Sequence, residues 1–343
     1  MQRIRLGIMG FGAVGRQIYQ LALARSDVEI PVVSDIGRPD ILHHLLCRDL
    51  QEGECTLDGN HLVNSDFRTR MLRTDHPREV PWDAFGVDAV IDATARFRTR
   101  VELQPHLDNG ARRVLLAVLP LEALDRLLIP GINENDARVE DQLVSAGSST
   151  ASALALMLKV LSARLPIQLA SMTSVHAYSS DMSLQDYAGP DYRRSRSGAE
   201  NIIPNNSEAP RWVEHVLPKF AGKISGYVLN VPVQKGSLLD LNIVFESAGV
   251  SAQDVNDIMI EAAVASPELI AVARDPIVSS DVIGSAQSLL FDTQATLSSG
   301  KRIVKTLAWY ETRGHAHRIL DVLRTYARLD ANAFTGDDAG ATP

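Results

Sequence analysis

Short apolar runs alternate with longer amphipathic stretches through the first 150 residues, and that alternation sets the fold class. Residues 3–9 form a run of strand length, and residues 16–24 follow with apolar side chains at helical spacing. Residues 29–34 read as a second buried strand, residues 40–47 as an amphipathic helix, and a β-rich segment continues to about residue 80. Residues 89–94 and 113–118 are two further buried strands. Strands alternating with helical segments predict a parallel, doubly wound sheet, in which ligands bind at the carboxyl ends of the strands. Residues 10–15, Asp35 and residues 93–96 are then expected to share one crevice.

The pattern changes after residues 145–152, a run of small and hydroxyl side chains that opens into the apolar stretch 153–161. Small residues permit a tight turn and hydroxyls cap first-turn N–H groups, so this junction predicts a buried helix whose N-terminus favours an anion or oxyanion. Residues 168–178 then read as a long strand, and a polar loop runs from 179 to about 199. Strands are expected at 223–233, 238–246, 268–273, 288–292 and 302–310, with one helix at 252–265 among them. Many strands with few intervening helices imply a mainly antiparallel sheet in a separate α+β domain. A last helix, 317–329, is long enough to return to the first domain.

Composition narrows the function classes. The chain has 343 residues, long enough for two domains, and 45% hydrophobic with 22% charged residues is the balance of an ordinary soluble protein. Lys and Arg number 34 against 42 Asp and Glu, a net charge of -8, and no basic block exceeds Arg193-Arg194-Ser195-Arg196. Nucleic-acid and anionic-membrane partners are therefore not expected. No apolar run is long enough to span a membrane. Cys47 and Cys55 are the two cysteines, and the first residues already read as strand without a leader, so the expected compartment is the reducing cytoplasm. His43, His44 and these cysteines match no common zinc-ligand spacing, and no metal is expected.

Gly10, Gly12 and Gly15 form a G-x-G-x-x-G turn between a strand and a helix, with Phe11, Ala13 and Val14 as its other members. Gly10 suits the tight turn, Gly12 lets the backbone approach a pyrophosphate, and Gly15 allows close helix–strand packing. Asp35 ends the second strand about twenty residues on, placed to hold adenosine ribose hydroxyls and to favour NAD over NADP. Thr94 is expected in the same crevice. The first domain thus reads as an α/β Rossmann dinucleotide-binding domain.

Residues 6–12, 145–152, 172–178, 193–196 and 200–204, with Trp309-Tyr310, resemble the phosphorylating glyceraldehyde-3-phosphate dehydrogenases in order and spacing, from about residue 2 to about residue 330. The resemblance implies a catalytic and oligomerisation domain at 149–313 and a cofactor domain at 1–148 completed by a helix at 314–330. Residues 331–343 are expected to be a disordered tail. It also implies NAD, a small aldehyde substrate and a homotetramer. In that family a turn cysteine attacks the aldehyde, a histidine takes a proton, NAD accepts hydride from the thiohemiacetal, and inorganic phosphate releases the acyl group. By position the nucleophile is Ser149 and the base His176. Ser148 and Thr150 fall near the attacking phosphate. Ser179, Asp181 and Arg194 fall in the substrate and anion pockets, and the loop 179–199 borders a neighbouring subunit's cofactor site.

Four departures accompany the match. The family's thiol is a hydroxyl at Ser149, and the resemblance puts both cysteines in the cofactor domain, away from His176. A serine is much harder to ionise than a cysteine beside an imidazole, and no acid stands at an obvious partner position for His176. The family's arginine before the Val-Pro-Val strand is Asn230 here, and its Thr-Gly near the phosphate pocket is Ser207-Glu208. The asparagine that meets the nicotinamide amide becomes Thr312, in a segment one residue shorter. Ser149 and Ser148 also suit a purely capping role. Three functional readings stay open. The first is an NAD-dependent oxidoreductase that oxidises an altered aldehyde through an acyl-enzyme, with Ser149 in the place of a native cysteine. The second is an NAD-binding pseudoenzyme with a sensing or scaffolding role, and the third a serine nucleophile that forms an ester.

Overall fold

In the computed structural model, which describes residues 3–337 except 49, 52, 180 and 181, the first strand is β1 (Ile4–Met9), buried on both faces from Leu6 onward. Burial on both faces is what a central parallel strand requires. The chain continues through α1 (Ala13–Leu23), β2 (Val28–Asp35), α2 (Pro39–Cys47), β3 (Thr56–Asp58), β4 (His61–Val63) and β5 (Arg68–Arg73). Then come β6 (Ala89–Asp92), α3 (Arg100–Asp108), β7 (Arg113–Leu116), β8 (Arg126–Leu127) and β9 (Leu143–Ser145). Two compact units divide the chain: unit 1 holds Met1–Ile129, Asn133–Gly147 and Ala316–Pro343, and unit 2 holds Pro130–Ile132 and Ser148–His315.

Unit 1 is built on a nine-stranded sheet in the order β3-β4-β5-β2-β1-β6-β7-β9-β8. Every pair from β5 to β8 is parallel, and the β3–β4–β5 edge is antiparallel. Strand order reverses direction at β1, with β2 on one side and β6 on the other, the point where a doubly wound sheet opens a crevice. Alternate side chains feed two cores. Leu6, Ile8, Ile30 and Val33 pack on one face, and Met9, Val32 and Val90 join Trp82 and Leu103 on the other.

The first of these cores is completed by the last helix. After α4 (Ser149–Ser162), β10 (Ile167–Ala177), β11 (Ile203–Asn206), α5 (Ala209–Val216), β12 (Ile224–Val231), β13 (Ser237–Phe245), α6 (Ala252–Ala265), β14 (Ile270–Ala273), β15 (Leu289–Ser299) and β16 (Ile303–Tyr310), the chain ends in α7 (Thr312–Asp337). Ile319, Leu320, Leu323 and Tyr326 of α7 belong to the core of unit 1. The Arg113 guanidinium lies 4.1 Å over the Tyr326 ring and 2.8 Å from Asp330, and the Tyr326 hydroxyl donates to Asp141 at 2.8 Å. The sequence reading makes residues 331–343 a disordered tail. Instead α7 runs on to Asp337, because alanines at 331 and 333 favour helix and no glycine occurs until 336. Residues 338–343 lie outside the described residues.

Unit 2 carries a seven-stranded sheet, β11-β12-β10-β13-β16-β15-β14. It is mainly antiparallel, with β10–β12 and β14–β15 parallel. Helix α4 is buried along most of its length, in keeping with its apolar sequence. Strand β11 and helix α5 fall where the sequence pattern predicts no regular element. Pro204 removes a ladder donor, which β11 tolerates as the edge strand of its sheet.

Candidate functional site

In unit 1 the glycine turn follows from steric necessity. Gly10 has φ +90°, and a side chain there would bring Cβ within 2.7 Å of the Thr94 nitrogen. A Cβ on Gly15 would lie 2.1 Å from the Gly10 carbonyl oxygen. Gly12 is different: nothing lies within 4 Å of its would-be Cβ. It starts α1 without a side-chain cap, so the first-turn N–H groups at Ala13 and Val14 stay available to an anion. Asp35 is locked to the same turn. Its Oδ2 accepts from the Phe11 N–H at 2.6 Å and its Oδ1 from the Gly37 N–H at 2.7 Å. Thr94 donates N–H and Oγ1–H to Asp92 Oδ1 at 2.9 and 2.6 Å, and Ala95 beyond it has φ +59°. The ends of β1, β2 and β6 thus gather Gly10, Phe11, Gly12, Gly15, Asp35 and Thr94. This open, uncapped turn with a carboxylate at its side fits a dinucleotide.

In unit 2 the start of α4 assigns the two serines different positions. Ser148 is the N-cap, with extended backbone, and its hydroxyl accepts from the Ala151 N–H at 3.1 Å. Ser149 is the first helical residue, half-buried, and its hydroxyl makes no hydrogen bond among the described residues. Thr150 turns inward to Tyr310. The Tyr310 hydroxyl stands 2.9 Å from Thr150 Oγ1 and 2.5 Å from Ser174 Oγ, and burial pushes its pKa up. Its ring meets the His176 ring edge to face at 6.2 Å. Tyr310 therefore ties the first turn of α4 to β10.

His176 is oriented by backbone. Its Nδ1–H donates to the Ala177 carbonyl at 2.6 Å, which leaves Nε2 as the lone-pair nitrogen. Across the parallel β10–β12 ladder its register partner is Asn230, nearly buried, whose amide oxygen accepts from the Asn205 side chain. No cation occupies that register position. Thr312 opens α7 and donates to the buried Glu311 carboxylate at 2.9 Å.

The remaining candidates lie on loops and at a helix end. Ser207 accepts from the Ala209 N–H at 3.3 Å, and exposed Glu208 at the start of α5 faces Arg211 at 3.5 Å. Arg194 sits on an exposed loop, its N–H donating to Asp191 at 2.8 Å, and Ser179 follows the end of β10. Asp181 lies outside the described residues. Sequence reasoning used Tyr310 only as a family marker and passed over Ser174. The signal for Ser174 was present, since positions 174 and 176 share one face of a strand.

Both thiols belong to unit 1, where burial pushes Cys47 up and Cys55 to about 11. His43 Nε2 stands 3.2 Å from Cys47 Sγ. Among the described residues no group of three His, Cys, Asp or Glu side chains is arranged to hold a metal ion, and no helix is long and apolar enough to cross a membrane.

Residues 4–100 match the glyceraldehyde 3-phosphate dehydrogenase NAD binding domain, and residues 148–312 match the C-terminal domain of the same family. The chain is 37% identical over 333 residues to glyceraldehyde-3-phosphate dehydrogenase of Kitasatospora aureofaciens, covering 94% of this chain and 99% of that one. It is 35% identical over 327 residues to glyceraldehyde-3-phosphate dehydrogenase 2 of Streptomyces arenae, covering 93% and 97%. Against glyceraldehyde-3-phosphate dehydrogenase 1 of Bacillus subtilis (strain 168) the identity is 33% over 333 residues, covering 95% and 98%.

Proposed function

The chain belongs to the glyceraldehyde-3-phosphate dehydrogenase family, and from that premise we propose an NAD-binding pseudoenzyme, a sensor or scaffold in which the thioester route is closed. NAD is the family's cofactor, and the glycine turn with Asp35 would hold it. When bound, it supplies the hydride acceptor. The observation that carries the reading is that α4 starts with the hydroxyls of Ser148, Ser149 and Thr150, and that the two cysteines, Cys47 and Cys55, are residues of unit 1.

The chemistry follows from the residues. A thiol at a helix N-terminus and beside an imidazole ionises at about neutral pH, and a hydroxyl does not. The Ser149 hydroxyl needs a base steadied by a third polar group, and His176 has a backbone carbonyl in that place. Losing one member of such a unit costs roughly four to six powers of ten in rate. Asn230 and Glu208 extend the same argument to the substrate. The amide is engaged with Asn205 and the carboxylate with Arg211, so neither adds positive charge for a phosphate dianion. An aldehyde that still enters the pocket would lack the usual phosphate.

A second reading rests on His176 itself. Its fixed tautomer presents Nε2 as a proton acceptor, which catalysis needs and binding alone does not. On that reading the chain is an aldehyde oxidoreductase in which Ser149 stands in the place of a native cysteine that forms the acyl-enzyme. One experiment separates the two. NAD titration with calorimetry should show binding, and NADH absorbance should show no turnover with phosphorylated or plain aldehydes. Ser149→Cys should restore none. Rapid NADH formation by Ser149→Cys would establish the oxidoreductase reading. A covalent adduct on Ser149 itself, detected by mass spectrometry, would instead support ester chemistry. The proposal includes a homotetramer in the cytoplasm, and sedimentation of the purified protein tests the first part.

A further inference from the structure

Behind the cofactor crevice of unit 1 runs a buried hydrogen-bond chain that the glycine turn does not explain. Trp82, Asp92 and His106 each have no solvent exposure. The Trp82 Nε1–H donates to His106 Nδ1 at 3.1 Å, and His106 Nε2 stands 3.1 Å from Asp92 Oδ2. Because Trp82 can only donate, His106 must accept at Nδ1 and donate from Nε2, so its tautomer is set. Asp92 then receives His106 on one oxygen and both the N–H and Oγ1–H of Thr94 on the other. Thr94 Oγ1 in turn accepts from the Arg96 N–H at 3.1 Å.

Both ends of this chain touch the strand that carries the glycine turn. The Trp82 ring lies so close to Gly7 of β1 that a Cβ there would come within 2.7 Å of it. At the other end the Thr94 nitrogen is the atom that a Cβ on Gly10 would strike. Just past Thr94, Ala95 holds a left-handed backbone, φ +59°, which costs a non-glycine residue energy and persists only where its surroundings impose it. The strain sits at the β1–β6 switch point, where a doubly wound sheet binds its ligand.

We infer that Trp82 and His106 are positioning residues for the dinucleotide: through Asp92 they clamp the 93–96 turn against Gly10 and so preform the β6 side of the crevice. The inference rests on the cofactor reading above. His106 is fully buried and reaches the turn only through Asp92 and Thr94, so its substitution changes the turn itself. A preformed turn removes the ordering cost from NAD binding.

The test is NAD titration by calorimetry on the full chain, well below the unfolding midpoint, with the midpoint measured in parallel. His106→Leu leaves the Trp82 N–H and one Asp92 oxygen unpaired, and NAD should bind roughly tenfold or more weakly. His106→Gln carries an amide that can accept from Trp82 and donate to Asp92, and should restore affinity to within about threefold. A folded His106→Leu protein with a lower midpoint and unchanged affinity overturns the inference, as does His106→Gln binding as weakly as His106→Leu. If His106→Leu does not fold, Trp82→Phe decides. That change deletes only the far donor, and about two- to threefold weaker NAD binding supports the inference while unchanged affinity overturns it. No NAD binding by the unsubstituted chain would overturn the cofactor reading and this inference together.

Discussion

The cofactor crevice of unit 1 and the helix start of unit 2 are held in place by different kinds of constraint. In the crevice, backbone meets backbone: Gly10 against Thr94 and Gly15 against Gly10 leave no volume for another side chain. At the start of α4, a buried phenol gathers hydroxyls from α4 and β10, and the residue beside them, Ser149, makes no hydrogen bond among the described residues. A thiol in place of that hydroxyl would break no hydrogen bond among the described residues. The scaffold of a reactive site and its reacting atom are therefore separable, and the atom can change while the scaffold stays. At Gly10 and Gly15 of the crevice they are the same atoms, and no such change is free.

Substitutions can break that contrast, beginning with the largest effect. Gly15→Ala drives a Cβ to 2.1 Å from the Gly10 oxygen, so the turn must open or α1 must shift. We expect a loss of about 3 kcal/mol or more in urea unfolding, together with loss of NAD binding. A Gly15→Ala protein with native stability would remove the steric half of the comparison. At α4 the paired changes Ser148→Ala and Ser149→Ala should differ. The first removes the cap and costs about 1 kcal/mol, and the second costs less than about 0.5 kcal/mol, both read from urea midpoints. Equal costs would mean that Ser149 does carry structure.

Another small effect is a pH dependence in the helix that carries His106. Glu102 accepts from the Arg98 and Thr99 N–H groups and from the Thr99 hydroxyl in the capping box of α3. The Arg98 N–H foremost, with Thr99, holds its carboxyl below the ordinary value of 4.5. A carboxyl lowered in the folded state stabilises above the unfolded value and loses that contribution as pH falls through the folded one. Glu102→Gln should accordingly be less stable near neutrality by about 1 kcal/mol or less. The difference should shrink as pH drops below 4.5, in thermal melts across that range.

The sequence made legible what local rules govern. Gly10, Gly15 and Asp35 announce themselves because a tight turn and a strand end each demand a residue type at a fixed spacing. The serine run around Ser148 reads as a helix start for the same reason. Trp82, Asp92 and His106 could not be read that way, since each lies in a different segment and only the folded sheet brings them together. The partners of Asn230 and Glu208 were hidden too. Asn205 sits on an edge strand that a proline disguised, and Arg211 on a short helix outside the expected pattern. Legibility was poorest at the end of the chain, where a polar, glycine-bearing sequence suggested disorder and the helix continued.

That helix has a consequence in time. Ala316, Ile319, Leu320, Leu323 and Tyr326 complete a core whose strands lie within the first half of the chain. During synthesis the Rossmann sheet would emerge early with Leu6, Ile8 and Ile30 still lacking this cover, and Arg113 and Asp141 would wait for Tyr326 and Asp330. All of unit 2 must be made first. The unit that starts earliest can thus finish only when the last helix leaves the ribosome, and until then it is a natural client for chaperones.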